Sequence, residues 1–98
     1  MLNKYVIPDK NICSRMIDGE IALLNLKDNS LYFLNSTGTV IWNLANGKTK
    51  ISKIVDNIVK AFDIDYQNAQ KDTFDFIRRL SKEKMLNVYD KPKASNKS

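Results

Sequence analysis

The segment LYFLNSTGTVIWNLANGKTKISKI, residues 31–54, contains the change from strand to helix that decides the fold. Leu31 to Leu34 is a short apolar and aromatic run without helical spacing, bounded by polar turn residues, as a strand requires. From Asn35 the period changes. Asn35 or Ser36 can accept the free backbone N–H groups of a helix start, Val40, Ile41 and Leu44 form an apolar stripe, and Asn46-Gly47 can end the helix. Thr49 can cap a second helix. There Ile51, Ile54, Val55, Ile58, Val59 and Phe62 fall at i, i+3, i+4, i+7, i+8 and i+11, all on one side of the cylinder.

Towards the N-terminus the pattern is strand-like. Ile12 to Ile17 ends at Asp18-Gly19, which supplies the positive φ angles of a tight hairpin, and Glu20 to Leu26 follows as the second strand. The polar turn Lys27 to Ser30 then leads back to Leu31–Leu34. With Asp28-Asn29 at the turn centre, Leu26 faces Leu31 and Leu24 faces Phe33, while Leu23, Tyr32 and Leu34 lie on the opposite face. Both faces are therefore apolar, and a partner is expected to cover part of the second face or edge. Residues 1–11, with Pro8, Asp9 and Asn11, read as a flexible arm.

Towards the C-terminus Asp65 can cap a third helix, with Ala69, Thr73, Phe76, Ile77 and Leu80 at helical spacing, and Met85-Leu86 close the core. Phe74 and Arg78 stand off that stripe, one turn apart on one side. The predicted fold is α+β: a three-stranded antiparallel sheet followed by three helices, winged-helix-turn-helix-like, in one domain over residues 12–89. Residues 90–98 read as a disordered basic tail.

Composition narrows the function. With no His and the single Cys13, the chain has neither a zinc set nor an activated nucleophile, so no catalytic residue, metal or cofactor is expected. Asp72 and Asp75 read as solvated or capping groups rather than an acid–base pair. The net charge of +5 comes mostly from Lys91, Lys93 and Lys97, and residues 1–90 are nearly balanced, which argues against nucleic acid as a partner. No apolar run reaches membrane-spanning length and the first ten residues lack a signal-peptide core, so a cytoplasmic protein without membrane contact is expected.

At residue level, Leu-Asn before the first helix, small residues followed by Ile41-Trp42, Asn46-Gly47 and the Ile-rich second helix resemble the PqqD family. Asp72, Phe76, Ile77, Leu80 and Met85-Leu86 fit its DxxxFIxxLxxxxML spacing, so the resemblance spans about Ile12 to Leu86. Stand-alone recognition proteins of lasso-peptide biosynthesis look especially similar. The resemblance implies a non-catalytic module that captures the leader of a ribosomally made precursor peptide and delivers it to a modifying enzyme such as a protease, cyclase or radical enzyme. It also makes Trp42 a packing residue against the sheet. The implied site sets Leu31, Tyr32, Phe33 and Leu34 as a strand wall against Phe74, Ile77, Arg78 and Ser81 as a helix wall. An extended leader would add as a fourth strand, with Arg78 available to an acidic leader residue. Two other outcomes stay open at this point: a winged-helix DNA-binding protein using Lys50, Lys53 and Lys60, and a homodimer formed by self-pairing of the free strand edge.

Overall fold

The computed structural model describes residues 1–93. The elements run β1 (Tyr5–Pro8), β2 (Ile12–Ile17), β3 (Glu20–Asn25), β4 (Leu31–Phe33), α1 (Ser36–Leu44), α2 (Ile51–Phe62), α3 (Tyr66–Lys82) and β5 (Leu86–Tyr89). The expected meander is present in the order β2-β3-β4, antiparallel throughout, and three helices follow it. Asp18 and Gly19 take φ of 51° and 83°, the left-handed pair that a two-residue hairpin needs. Asn35 caps α1, its Oδ1 accepting from the Gly38 N–H at 2.8 Å. The stripe on α2 is buried as its spacing requires, with Ile51, Ile54, Val55 and Ile58 fully enclosed. Trp42 is buried in the same core, which joins both sheets to all three helices.

Three expectations need correction. First, residues 1–11 are not a free arm: β1 pairs antiparallel with β5, Tyr5 to Tyr89 through Pro8 to Leu86, and Tyr5, Val6 and Ile7 are buried. The same segment caps α2. Ile51 N–H donates to Lys4 O and Ser52 N–H to Leu2 O, both at 2.9 Å, so two orphan donors of that helix are satisfied by distant backbone. Thr49 is therefore not the cap. Lys50 holds that position without a side-chain bond, and Asn46 Oδ1 instead accepts from the Lys48 and Thr49 N–H groups. Asp65 does stand at the cap of α3, but its Oδ1 is taken by Asn68 Nδ2 rather than by backbone.

Second, the register between β3 and β4 is Leu24 to Leu31, Leu23 to Tyr32 and Ala22 to Phe33, two residues away from the expected one. The turn is longer than two residues, because Asn25 and Ser30 close it (Asn25 N–H to Ser30 O, 3.0 Å). Inside it the Asn25 and Asp28 side chains accept from the Lys27 and Ser30 N–H groups. A shift of two preserves the faces. Leu23 and Leu34 are indeed core with Tyr32 packed against them, and Leu31 and Phe33 lie on the other side.

Third, the chain after β5 is held at its start. The Lys93 N–H donates to Gly47 O at 2.8 Å, and Gly47 N–H donates to Val6 O at 2.9 Å. The rest of the expected tail, 94–98, lies outside the described residues. Gly47 has φ +78°, and a Cβ there would come within 2.6 Å of Ile7 Cδ1 and would also meet the Lys93 carbonyl. Gly47→Ala should therefore destabilise the fold by about 2 to 4 kcal/mol, from left-handed strain plus overpacking, read as a lower urea midpoint with unchanged slope.

Candidate functional site

The β4 edge follows from the ladder geometry. In an antiparallel pair, residues alternate between those that exchange backbone bonds with the neighbour and those whose groups point away. Leu34 N–H donates to Ile21 O at 2.9 Å and Asn25 N–H to Ser30 O, so Ser30, Tyr32 and Leu34 bond inward to β3. The N–H and C=O groups of Leu31 and Phe33 consequently point outward. They have no backbone partner among the described residues. These two residues are 54% and 52% exposed, with their side chains on the sheet face away from the helices. An uncovered edge and an exposed apolar pair thus coincide at one short strand.

From α3, the residue that reaches this edge is Arg79. Its Nη1 donates to Tyr32 Oη at 2.9 Å, a bond that holds the guanidinium pKa above its ordinary value. One turn before it, Phe76 packs on Gly38 at the start of α1, where a Cβ on the glycine would stand 2.8 Å from Phe76 Cε1. Asn35, Gly38 and Phe76 therefore fix where the helix meets the end of β4.

The residues expected as the helix wall are distributed differently. Ile77 is buried in the core. Phe74 lies five residues before Arg79, about 140° around the helix, and with Gln70 faces Met1–Lys4 and Asp90. Arg78 stacks over Phe74 at 5.7 Å from the ring centroid and reaches Asp75 at 3.8 Å. Asp75 also holds Lys71 at 2.9 Å, and the Lys71 hydrogen bond keeps the Asp75 pKa below the usual carboxylate range. Ser81 is half-buried on the Phe74 flank, its Oγ without a hydrogen-bond partner among the described residues. The structure thus brings Leu31, Tyr32 and Phe33 together at the edge, keeps Leu34 beneath them in the core, and sets Phe76 and Arg79 opposite. The sequence signal for this flank is the i, i+3 pair Phe76 and Arg79, which competes with the i, i+4 pair Phe74 and Arg78.

Among the described residues, no group of three His, Cys, Asp or Glu side chains could hold a metal ion, and no helix is long and apolar enough to cross a membrane. Fold and edge together define an α+β module with an uncovered strand at the β4 side of its sheet. Residues 20–86 match the family described as coenzyme PQQ synthesis protein D (PqqD), and the chain belongs to that family. Two solved structures share the fold. One is TbiB1 in complex with the TbiA(beta) leader peptide, 28% identical, covering 83% of this chain and 94% of that one with a TM-score of 0.75. The other, lasso peptide synthetase B1 complexed with the leader peptide, is 16% identical and covers 84% and 96% with a TM-score of 0.74. Among curated proteins, none matches the chain.

Proposed function

We propose that the chain binds the leader of a ribosomally made precursor as an added strand on β4 and presents it, without catalysis, to a modifying enzyme in the cytoplasm, where such precursors are translated. The observation that carries this reading is the outward-facing backbone of Leu31 and Phe33, four groups able to pair with one extended peptide. The TbiB1 structure, holding a leader peptide on a similar fold, supports the same class of ligand, and a lasso-type pathway is the setting we favour. Leader residues opposite Leu31 and Phe33 would pack on the outer sheet face. Those between them would turn towards Tyr32, Phe76 and Arg79. The binding wall on the helix is therefore proposed as Phe76 and Arg79 in place of Phe74, Arg78 and Ser81.

A fluorescent leader peptide from the adjoining precursor gene tests this by polarisation. Saturable binding is expected, weakened in Phe33→Glu and unchanged in Phe74→Glu. Folded protein that binds no co-encoded leader would overturn the function. Equal losses in the two variants would instead return the helix wall to the Phe74 flank.

A further inference from the structure

The β4 edge carries a cation that the fold leaves without a counter-charge. Arg79 Nη1 donates to Tyr32 Oη at 2.9 Å, and the guanidinium makes no ion pair among the described residues. Asp75, one turn before it on α3, is already held by Lys71 at 2.9 Å and Arg78 at 3.8 Å. Glu83, one turn after it, stands between Lys82 and Lys84 and forms no ion pair with it. The hydroxyl that Arg79 touches is half used as well. Tyr32 Oη accepts that one bond, and its own O–H donates to no group among the described residues. Two donors thus converge beside the edge with no acid between them.

Strand addition decides what reaches these donors. β4 sets Tyr32 on the inner sheet face, between the outward backbone groups of Leu31 and Phe33. A leader strand that continues the pleat puts the residue opposite Tyr32 on the same face, with the two Cβ atoms about 4.5 to 5.5 Å apart. A neutral side chain there would take water from the guanidinium and return nothing, whereas a carboxylate supplies acceptors and charge together. A second copy pairing about Tyr32 would bring two Arg79 cations to one place, which disfavours self-pairing at this edge.

We propose that Arg79 and Tyr32 select a leader with a carboxylate at the position facing Tyr32, an inference that rests on the leader-binding reading. The guanidinium exchanges the Tyr32 hydroxyl for the two carboxylate oxygens, and the released O–H donates to the same group. Glutamate suits the site better than aspartate, because Tyr32 Oη stands at the end of a long side chain. Leader positions on the outer face then supply apolar contact, and this inner position supplies discrimination between peptides.

The test is a double-mutant cycle between the full chain and the fluorescent leader peptide of the adjoining precursor gene. Each leader Glu or Asp is replaced singly by Gln or Asn, and every peptide is titrated against the unaltered chain, Arg79→Gln and Arg78→Gln. One acidic position should lose about five- to tenfold in affinity for the unaltered chain and for Arg78→Gln, and nothing for Arg79→Gln. Arg79→Lys should bind the acidic leader with intermediate affinity, since an ammonium keeps the charge but not the fork. Arg79 is exposed, so these variants should keep the thermal midpoint of the unaltered chain. Leader binding in which no acid couples to Arg79, or in which an acid couples to Arg78 instead, would overturn the proposal and leave the leader reading standing. Tight binding of a leader that has no acid would do the same. Folded chain that binds no co-encoded leader would remove the leader reading and this site with it.

Discussion

Phe33→Pro should lower leader affinity by roughly 10- to 100-fold while the domain keeps its cooperative unfolding. The Phe33 N–H points away from β3, so the substitution breaks no bond within the sheet. It does delete one of the donors an added strand would use and sets a ring where that strand's carbonyl must approach. Tyr32, the residue before it, is already extended in β4, which is the conformation that precedes proline most readily. The aromatic side chain is lost too, so Phe33→Ala is the necessary companion. It measures the apolar contact alone, and the proline variant should bind about tenfold more weakly than the alanine one. Equal affinities for the two would mean that the peptide uses the exposed face and not the edge.

The bond between Arg79 and Tyr32 bears on the same groove. It is exposed and joins α3 to β4 where leader side chains on the inner face would arrive. An exposed bond of this kind contributes little to stability, so its loss on binding costs little and frees a guanidinium that can accept a carboxylate in a two-pronged contact. The sequence reading placed that role on Arg78. In the folded chain Arg78 instead stacks on Phe74 beside Asp75, on the side of the helix that meets the N-terminal residues.

The contrast between Arg78 and Arg79 shows what a single sequence can carry. Short-range chemistry was legible: the Asp18-Gly19 turn, the Asn35 cap and the buried stripe of α2 follow from φ preferences, side-chain acceptors and period. So were the faces of β3 and β4, since a period of two survives a register error of two. The register itself was not, because Asn25 and Asp28 each accept backbone N–H groups and lengthen the turn beyond the two residues assumed. The apolar stripe gives the rotation of α3 about its axis, with Ala69, Thr73, Ile77 and Leu80 inward. Which flank then meets β4 depends on how the helix crosses the sheet, and no local pattern encodes that. The pairing of β1 with β5 was hidden for a related reason. Tyr5-Val6-Ile7 is too short an apolar run to identify a strand, and its partner lies about eighty residues away.

Removal of residues 1–8 should leave a chain that no longer unfolds cooperatively at room temperature. If these residues were a free arm, truncation would be silent. Instead Tyr5, Val6 and Ile7 are all buried, and at about 1.5 to 3 kcal/mol each their loss forfeits on the order of 4.5 to 9 kcal/mol. Deletion also strands β5 without a partner, uncovers Leu86, and leaves the Ile51 and Ser52 N–H groups without the Lys4 and Leu2 carbonyls. A domain of this size is stable by roughly 5 to 15 kcal/mol, so the loss takes most or all of the margin. Val6→Ala provides a graded version, expected to cost about 2 kcal/mol with the fold retained. Circular dichroism through a thermal ramp separates the cases. A truncated chain with an unchanged midpoint would show that the β1–β5 pair is not part of the folding unit, whereas loss of the transition makes the first eight residues as much core as α2.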